Sequence, residues 1–142
     1  MNTSVLFLCT GNSCRSQMAE GWLKHLGGHD YRVSSAGTNP TGVNTLAIGV
    51  MAEAGVDISE QTSDDIDRYL NEPLDLLITV CDRAKASCPT FPRNIETLNW
   101  RFEDPAQAQG SEKERLIVFR RVRDEIKAHI EDYLSGKGSK AS

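Results

Sequence analysis

Residues 4–28, SVLFLCTGNSCRSQMAEGWLKHLGG, decide the fold of this chain of 142 residues. Residues 4–8 are a continuous apolar run, the pattern of a strand buried on both faces of a parallel sheet. After a seven-residue loop, apolar side chains recur at helical spacing over residues 16–26 and stop at two glycines, which predicts a helix with its end signal. Strand, short loop and helix together predict the start of a βαβ unit.

The rest of the chain continues this alternation. Short β-prone or fully apolar stretches predict further strands at residues 31–35, 75–81 and 97–100. Helical spacing predicts helices at residues 43–54 and 112–134, and an N-cap at Thr62 or Ser63 predicts another helix that Pro73 ends. We therefore predict a single doubly wound α/β domain over residues 1–135, with a loop at 82–92 and a disordered tail at 136–142.

The composition limits the possible functions. Hydrophobic residues make up 39% of the chain, charged residues 25%, and the net charge is −4, as in soluble globular proteins. An acidic surplus disfavours a nucleic-acid partner, which would require basic residues to displace counterions. The early apolar run is too short for a signal segment or a spanning helix, so we expect a cytoplasmic protein with no membrane partner.

Cysteine placement points to chemistry at one edge of the sheet. Cys9 and Cys81 each follow a predicted strand, and ligands of doubly wound folds bind beyond the carboxyl ends of the strands. In a reducing compartment such cysteines are catalytic, redox-active or metal-binding more often than structural. We expect both cysteines on the same rim.

The loop CTGNSCRS at residues 9–16 has the composition of an oxyanion site. Its backbone N–H groups and the positive end of the following helix suit a tetrahedral anion. Gly11 allows positive φ, Asn12 tolerates the left-handed region, and Arg15 offers a planar fork of donors. The predicted anion-binding residues are Thr10, Gly11, Asn12, Ser13, Cys14, Arg15 and Ser16.

The helix terminus and Arg15 favour a thiolate at Cys9, which predicts a nucleophile that the Ser16 hydroxyl steadies. The alternative is a chance C-x5-R with an inert buried cysteine; the position between strand and helix favours catalysis. No GKS or GKT ending is present, so this is not a nucleotide P-loop. Cys14, inside the loop, is predicted to be structural.

Two further features follow along the chain. Asp104, before Pro105, could protonate a departing oxygen of the anion, although Asp-Pro also starts helices. Cys81 and Cys88 are close enough in sequence to form a disulfide after a loop rearrangement, whereas their spacing fits zinc poorly. Arg83 and Lys85 could favour their thiolates or simply be solvated.

The three histidines show no ligand spacing and are predicted to be surface residues: His25, His29 and His129.

Taken together, several segments resemble the arsenate reductases built on the low-molecular-weight tyrosine phosphatase fold, in particular the thioredoxin-coupled branch. The resemblance covers nearly the whole chain and implies a four-stranded parallel sheet flanked by helices. The segments are CTGNSCRSQMAEGW from residue 9, SAGT from 35, TSDDID from 62, TVCDRAKASCPTFP from 79, FEDPA from 102 and FRRVRDEIK from 119.

The resemblance implies a reaction. Cys9 would attack arsenate while Arg15 and the loop amides hold the anion and Asp104 protonates the leaving hydroxyl. Cys81 would then attack Cys9 and release arsenite, and Cys88 would move the disulfide to Cys81–Cys88 for thioredoxin. We expect a monomer that needs no cofactor.

The resemblance also implies a monovalent cation, usually potassium, in surroundings that match Asn12, Glu20, Ser35, Thr62 and Asp64. In some relatives a basic side chain takes its place, and Arg32 could do so here, so we expect no firm potassium requirement. Relatives often carry His where this chain has Asn99, a difference with no assigned mechanism.

Two other functions stay open at this point. A phosphotyrosine phosphatase would use the same loop and Asp104, but such enzymes usually carry an aromatic residue after Asp-Pro, where this chain has Ala106, and they lack the cysteine pair. A non-catalytic thiol sensor of arsenite or zinc is the other alternative.

Overall fold

The computed structural model describes residues 3–80 and 95–136. Within them the chain forms four strands, three α-helices and three short 3-10 turns. The strands are β1 (Thr3–Cys9), β2 (Tyr31–Gly37), β3 (Leu76–Thr79) and β4 (Glu96–Asn99); the helices are α1 (Arg15–Gly27), α2 (Thr45–Glu53) and α3 (Glu112–Leu134); the 3-10 turns are Gly28–Asp30, Ile66–Tyr69 and Pro105–Gln107.

The strands form one parallel sheet in the order β2-β1-β3-β4, which confirms the predicted fold class. β1 is an inner strand and its apolar run, residues 5–8, is at most 1% exposed, as expected for a strand covered on both faces. Cys9 is in register with Gly37, and Leu8 with Thr79. The strand ends therefore meet at one rim, where α1 begins.

The three helices pack on one another. Trp22 of α1 donates its indole N–H to the carbonyl of Arg123 in α3 at 3.1 Å, and Arg123 donates to the carbonyl of Val50 in α2 at 2.8 Å. Helix α3 has the predicted bounds because Ser111 and Glu114 form a capping box at its start. Its buried stripe of Phe119, Val122, Ile126 and Ile130 has the predicted spacing.

The predicted helix after Thr62 or Ser63 is wrong. The structure has a 3-10 turn over Ile66–Tyr69, capped by the Asp65 side chain. Before it, the Asp64 backbone is already engaged: its N–H donates to Asn12 Oδ1 at 2.8 Å and its carbonyl accepts from Gly37 N–H at 2.8 Å. These bonds hold the segment beside the sheet rim instead of in a helix.

Other boundaries differ by small amounts. The strand predicted over residues 75–81 spans Leu76–Thr79, and the helix predicted at 43–54 spans Thr45–Glu53 because Asn44 caps it. Cys81, Cys88 and the predicted loop at 82–92 lie outside the described residues, as does the tail beyond Gly136, so the domain boundary at 135 stays a prediction. Among the described helices, none has the length and apolar character needed to cross a membrane.

Candidate active site

The loop that joins β1 to α1 turns its carbonyl groups outward. Residues 38–44 run alongside it and donate four backbone N–H groups, those of Thr38, Asn39, Thr41 and Asn44, to the carbonyls of Cys9, Thr10, Gly11 and Ser13 at 2.8 to 3.2 Å. In a trans peptide the N–H points opposite to the preceding C=O, and the described residues contain no cis bonds. The amides of Thr10, Gly11, Asn12 and Cys14 therefore face the inside of the loop, which creates the concavity expected for an anion.

Asn12 fixes the shape of the loop. It is fully buried and has φ of 47°, the one positive φ among the described non-glycine residues. Its Oδ1 accepts from Asp64 N–H at 2.8 Å, while its Nδ2 donates to Ser16 Oγ at 2.8 Å and to Ser35 Oγ at 3.0 Å. All polar atoms of this side chain are thus matched, which stabilises the otherwise unfavourable backbone conformation.

Cys9 lies at the floor of the loop and is 2% exposed. Its Sγ accepts a hydrogen bond from Asn12 N–H at 3.2 Å and lies 3.0 Å from Ser16 Oγ. Because Ser16 Oγ already accepts from Asn12 Nδ2, its own hydrogen is available for the sulfur. Two donors directed at one sulfur stabilise a thiolate there.

Arg15 and Asp104 lie at the mouth of the loop. Arg15 Nη2 is 3.5 Å from Asp104 Oδ2, and Nη1 donates to the carbonyl of Phe102 at 3.2 Å. Asp104 Oδ1 caps the short Pro105–Gln107 turn through Ala106 N–H at 3.0 Å, so the helix-start role also holds. The Arg15 side chain is 13% exposed and that of Asp104 30%, which leaves the carboxyl group accessible to a molecule in the loop.

Gly37, the last residue of β2, is a part of the site to which the sequence analysis assigned no role. A Cβ atom at this position would lie 2.6 Å from the carbonyl oxygen of Thr10 and 3.0 Å from Asn12 N. Both are backbone atoms of the anion loop, so any larger residue would displace the loop itself. The signal present in the sequence was a glycine two positions after the strand predicted at residues 31–35.

Cys14 differs from Cys9 although both are buried. Burial is the main cause that raises the pKa of Cys14 to about 12, while the Ser13 hydroxyl acts in the opposite direction. Nearby Asp104 and Cys9 raise the pKa further and Arg15 lowers it. Cys14 is therefore a neutral thiol at physiological pH and a poor nucleophile, in agreement with the predicted structural role.

We expect Cys14→Ser to keep at least about half of the activity, because a neutral thiol and a hydroxyl of similar size serve the same packing role.

The variant should also change alkaline stability. Unfolded Cys14 loses its proton from about pH 9 and folded Cys14 from about 12, so its contribution is complete below pH 9 and decreases between these values. Between these pH values, denaturant unfolding should show that the free energy of unfolding falls more steeply with pH in the original chain than in Cys14→Ser. The difference in slope should reach about 1.4 kcal/mol per pH unit. An inactive variant would contradict the structural role.

The remaining predicted site residues divide into three groups. The residues expected around a cation do meet, since Asn12 contacts Ser35 and Asp64, Ser35 donates to Glu20 at 2.6 Å, and Thr62 donates to Asp64 at 2.8 Å. The three histidines are exposed, as predicted. Four residues of the predicted redox loop lie outside the part of the chain that the structure describes: Cys81, Arg83, Lys85 and Cys88. Within residues 3–80 and 95–136, no cluster of three metal-ligating side chains occurs.

Sequence reasoning missed two contacts of the rim. Gln17, fully buried, donates Nε2 to the carbonyls of Asn12 at 3.0 Å and Thr62 at 2.9 Å, and so joins the loop to the segment before the 3-10 turn. Asn99, which had no assigned role, accepts a hydrogen bond from Thr79 Oγ1 at 2.5 Å and joins the ends of β3 and β4. A glutamine on a helix and an asparagine on a strand give no sequence signal for either contact.

The site thus combines a cysteine at the floor of an amide-lined loop with an arginine and an aspartate at its mouth. A model of the low molecular weight phosphotyrosine protein phosphatase family matches residues 4–140. The chain belongs to this family.

Comparison with individual relatives shows which members of this family the chain is similar to. The arsenate reductase of Halalkalibacterium halodurans is 53% identical, with 94% of this chain and 96% of the relative covered. That of Bacillus subtilis is 48% identical over 93% of this chain and 95% of the relative. A solved structure described as an arsenate reductase in the phosphate binding state superposes with a TM-score of 0.77 at 36% identity, covering 94% of this chain and 98% of that one. Within the family, the chain thus groups with proteins named arsenate reductase, which confirms the resemblance.

Proposed function

We propose that this protein reduces arsenate to arsenite, with Cys9 as the nucleophile and thioredoxin as the final reductant. The observation that carries the proposal is the Cys9 sulfur, which receives hydrogen bonds from Asn12 and Ser16 inside a loop of inward amides. The similarity to arsenate reductases over nearly the whole chain supports the choice of substrate.

In the first step the Cys9 thiolate attacks the arsenic atom of a bound arsenate. An S–As bond forms and an As–O bond breaks. The carboxyl group of Asp104 lies at the mouth of the loop beside Arg15 and is therefore placed to donate a proton to the departing hydroxyl. The hydroxyl then leaves as water. Arg15 and the amides hold the remaining arsenate oxygens. Arsenic is still pentavalent in this Cys9 adduct.

In the second step the electrons come from a second thiol. Cys81 attacks Cys9 Sγ, the Cys9–Cys81 disulfide forms, and the S–As electron pair stays on arsenic, which is released as arsenite. Val80, the residue before Cys81, is fully buried and donates its N–H to the carbonyl of Leu8 at 2.9 Å. The chain thus approaches position 81 from beside the strand that ends in Cys9, which supports this pairing.

Cys88 then attacks Cys81, which frees Cys9 and leaves a Cys81–Cys88 disulfide. This transfer is needed because Cys9 is 2% exposed, and a protein reductant could not reach a disulfide buried at the loop floor. Thioredoxin reduces the Cys81–Cys88 disulfide to two thiols and takes up the oxidation. The reducing compartment that thioredoxin requires is consistent with the expected cytoplasmic location.

We expect Cys88→Ser to release one arsenite per chain and then stop, because Cys81 can still attack Cys9 but no thiol remains to move the disulfide outward. Cys81→Ser should release none. The test is to quantify arsenite per chain with thioredoxin and its reductase present, and to map the resulting disulfide by mass spectrometry. Cys14→Ser is the matched control and should turn over repeatedly.

Repeated turnover by Cys88→Ser would contradict the relay. Repeated turnover by Cys81→Ser would contradict the assignment of the second thiol. If wild-type chain works with glutaredoxin and glutathione but not with thioredoxin, the reductant assignment fails while the relay stands.

A phosphatase activity is the second candidate, favoured by the family match itself. The loop, Arg15 and Asp104 could equally serve a phosphocysteine mechanism. Ala106, exposed beside Asp104, offers no ring to hold an aromatic substrate. We therefore propose at most weak hydrolysis of aryl phosphates, measured with para-nitrophenyl phosphate against thioredoxin-driven arsenate turnover.

A further inference from the structure

Donors from two separate segments of the chain meet at the carbonyl oxygen of Gly11 in the anion loop. Thr41 donates its backbone N–H to this oxygen at 2.9 Å and its hydroxyl at 3.4 Å. The Ser63 hydroxyl donates to the same oxygen at 3.3 Å. Thr41 belongs to the segment 38–44 that runs alongside the loop, whereas Ser63 comes shortly before the 3-10 turn at Ile66–Tyr69. The Gly11 carbonyl is thus held from outside the loop by both segments.

The hydrogen bonds of the Ser63 hydroxyl have a fixed direction. Its oxygen accepts from the Gly42 N–H at 3.1 Å, and a backbone N–H can only donate. The hydroxyl hydrogen therefore goes to the Gly11 carbonyl, which can only accept. One side chain thus joins the segment 38–44 to the anion loop.

The peptide unit that contains this carbonyl also contains the amide that donates to Cys9. Because the peptide bond is planar and trans, the Gly11 C=O and the Asn12 N–H point in opposite directions. The carbonyl points outward to Ser63, and the N–H points inward to the Cys9 sulfur at 3.2 Å. A contact that holds the carbonyl therefore also directs the N–H.

The backbone of Asn12 would relax if this peptide unit turned over. Asn12 has φ of 47°, which is unfavourable for a residue with a side chain. A half-turn of the peptide would bring this φ to about −130°, within the β region. Glycine at position 11 tolerates the accompanying change in ψ. The half-turn would withdraw the N–H from Cys9 and direct a carbonyl oxygen at a bound anion, which it would repel.

The side-chain hydrogen bonds of Asn12 do not oppose this rotation directly. They hold its side chain and Cα atom, and a peptide plane that rotates about the line between two Cα atoms leaves both atoms nearly in place. The bonds to the Gly11 carbonyl act on the peptide plane itself. The orientation of the inward amide therefore depends on the donors outside the loop.

We infer that Ser63 is a positioning residue for the anion loop, because its hydroxyl holds the Gly11–Asn12 peptide with the N–H directed at the Cys9 sulfur. This inference rests on Cys9 as the nucleophile of the proposed reaction. The Thr41 N–H acts in the same direction as the Ser63 hydroxyl. Loss of Ser63 alone should therefore weaken the loop without unfolding the protein.

The experiment compares the isotope-labelled original chain with Ser63→Ala, Ser63→Thr and Ser135→Ala. Ser135→Ala is the matched control, because the Ser135 hydroxyl also donates to a backbone carbonyl, that of Asp132 at 2.8 Å, but does so at the C-terminal end of α3. The readouts are the Kd for inorganic phosphate from isothermal titration, the resonance and solvent exchange of the Asn12 amide proton from NMR, and the thermal midpoint. None of these readouts requires arsenate turnover.

We expect Ser63→Ala to bind phosphate about fivefold more weakly, the effect of losing one hydrogen bond that orients a donor. The Asn12 amide proton should move to higher field and exchange faster with solvent, because its bond to the sulfur is weakened. Ser63→Thr keeps the hydroxyl and should restore both values. Ser135→Ala should leave both values unchanged, although it also loses a hydroxyl.

Three results would overturn the inference. If Ser63→Ala keeps the phosphate affinity and the Asn12 resonance of the original chain, the hydroxyl does not hold the peptide, even if the thermal midpoint falls. If Ser63→Thr behaves like Ser63→Ala, the hydroxyl is not the group responsible. If Ser135→Ala weakens phosphate binding equally, the effect is a general loss of stability. A chain that shows the expected results but does not reduce arsenate would refute the proposed reaction and leave the positioning of the amide by Ser63 intact.

Discussion

Replacing Cys9 by serine is expected to lower arsenate turnover by at least about 10⁴-fold, to the background rate. A serine hydroxyl is not ionised near neutral pH, and the polar neighbours of this position are the donors Asn12 N–H and Ser16 Oγ, which stabilise an anion and cannot abstract a proton. A serine oxygen also cannot form the disulfide that supplies electrons to arsenic. Steady-state assays with thioredoxin measure the loss.

Cys9→Ser should lower turnover because the chemical step is lost, and it should leave anion binding intact. Isothermal titration with phosphate should show that Cys9→Ser binds this anion at least as tightly as the original chain, since the amides and Arg15 are unchanged and a thiolate no longer repels it. Cys14→Ser, the same substitution five positions along the same loop, is the control that keeps its activity. Arsenite release by Cys9→Ser beyond the background would refute the nucleophile assignment.

Arg15→Lys should lower turnover by about 10²- to 10³-fold. The guanidinium contacts Phe102 O with one nitrogen and approaches Asp104 with another, so its plane is fixed across the mouth of the loop. An ammonium keeps the charge but has a single nitrogen and cannot bridge two anion oxygens. Both kcat and phosphate affinity should decrease.

Arg121→Lys is the matched control for this change. Arg121 forms exposed ion pairs with Glu103 and Glu125, and such pairs contribute little, so its replacement should leave turnover unchanged. A fully active Arg15→Lys variant would show that the charge alone suffices and would contradict the bidentate role.

The sequence predicted the parts of the fold that depend on local chemistry. The apolar run of β1 became a strand covered on both faces, and the stripe of α3 became its buried face with the predicted bounds. Arg15 and Asp104 form an ion pair because the loop after β1 and the segment after β4 lie at the same rim of the parallel sheet.

The parts that could not be predicted depend on long-range contacts. The helix after Thr62 is missing because Asp64 bonds to Asn12, 52 residues earlier in the chain. The steric role of Gly37 likewise appears only where the strand end touches the loop. The pair of Glu20 and Lys24 is different, because it is an i, i+4 contact within α1 that the spacing could have indicated, although Arg32 was considered there instead.

The outward carbonyls of the loop have a consequence for how the protein chooses among ions in a cell. Residues 38–44 hold the loop from behind through four backbone hydrogen bonds to its carbonyls, which leaves the amides directed inward. Amides and a guanidinium recognise the charge and tetrahedral geometry of an oxyanion but do not distinguish its central atom. Abundant phosphate must therefore compete with arsenate for the same binding site. Under the proposed reaction, discrimination occurs in the electron transfer: arsenic accepts an electron pair from sulfur and leaves reduced, whereas phosphorus does not, so selectivity is set by redox chemistry after binding.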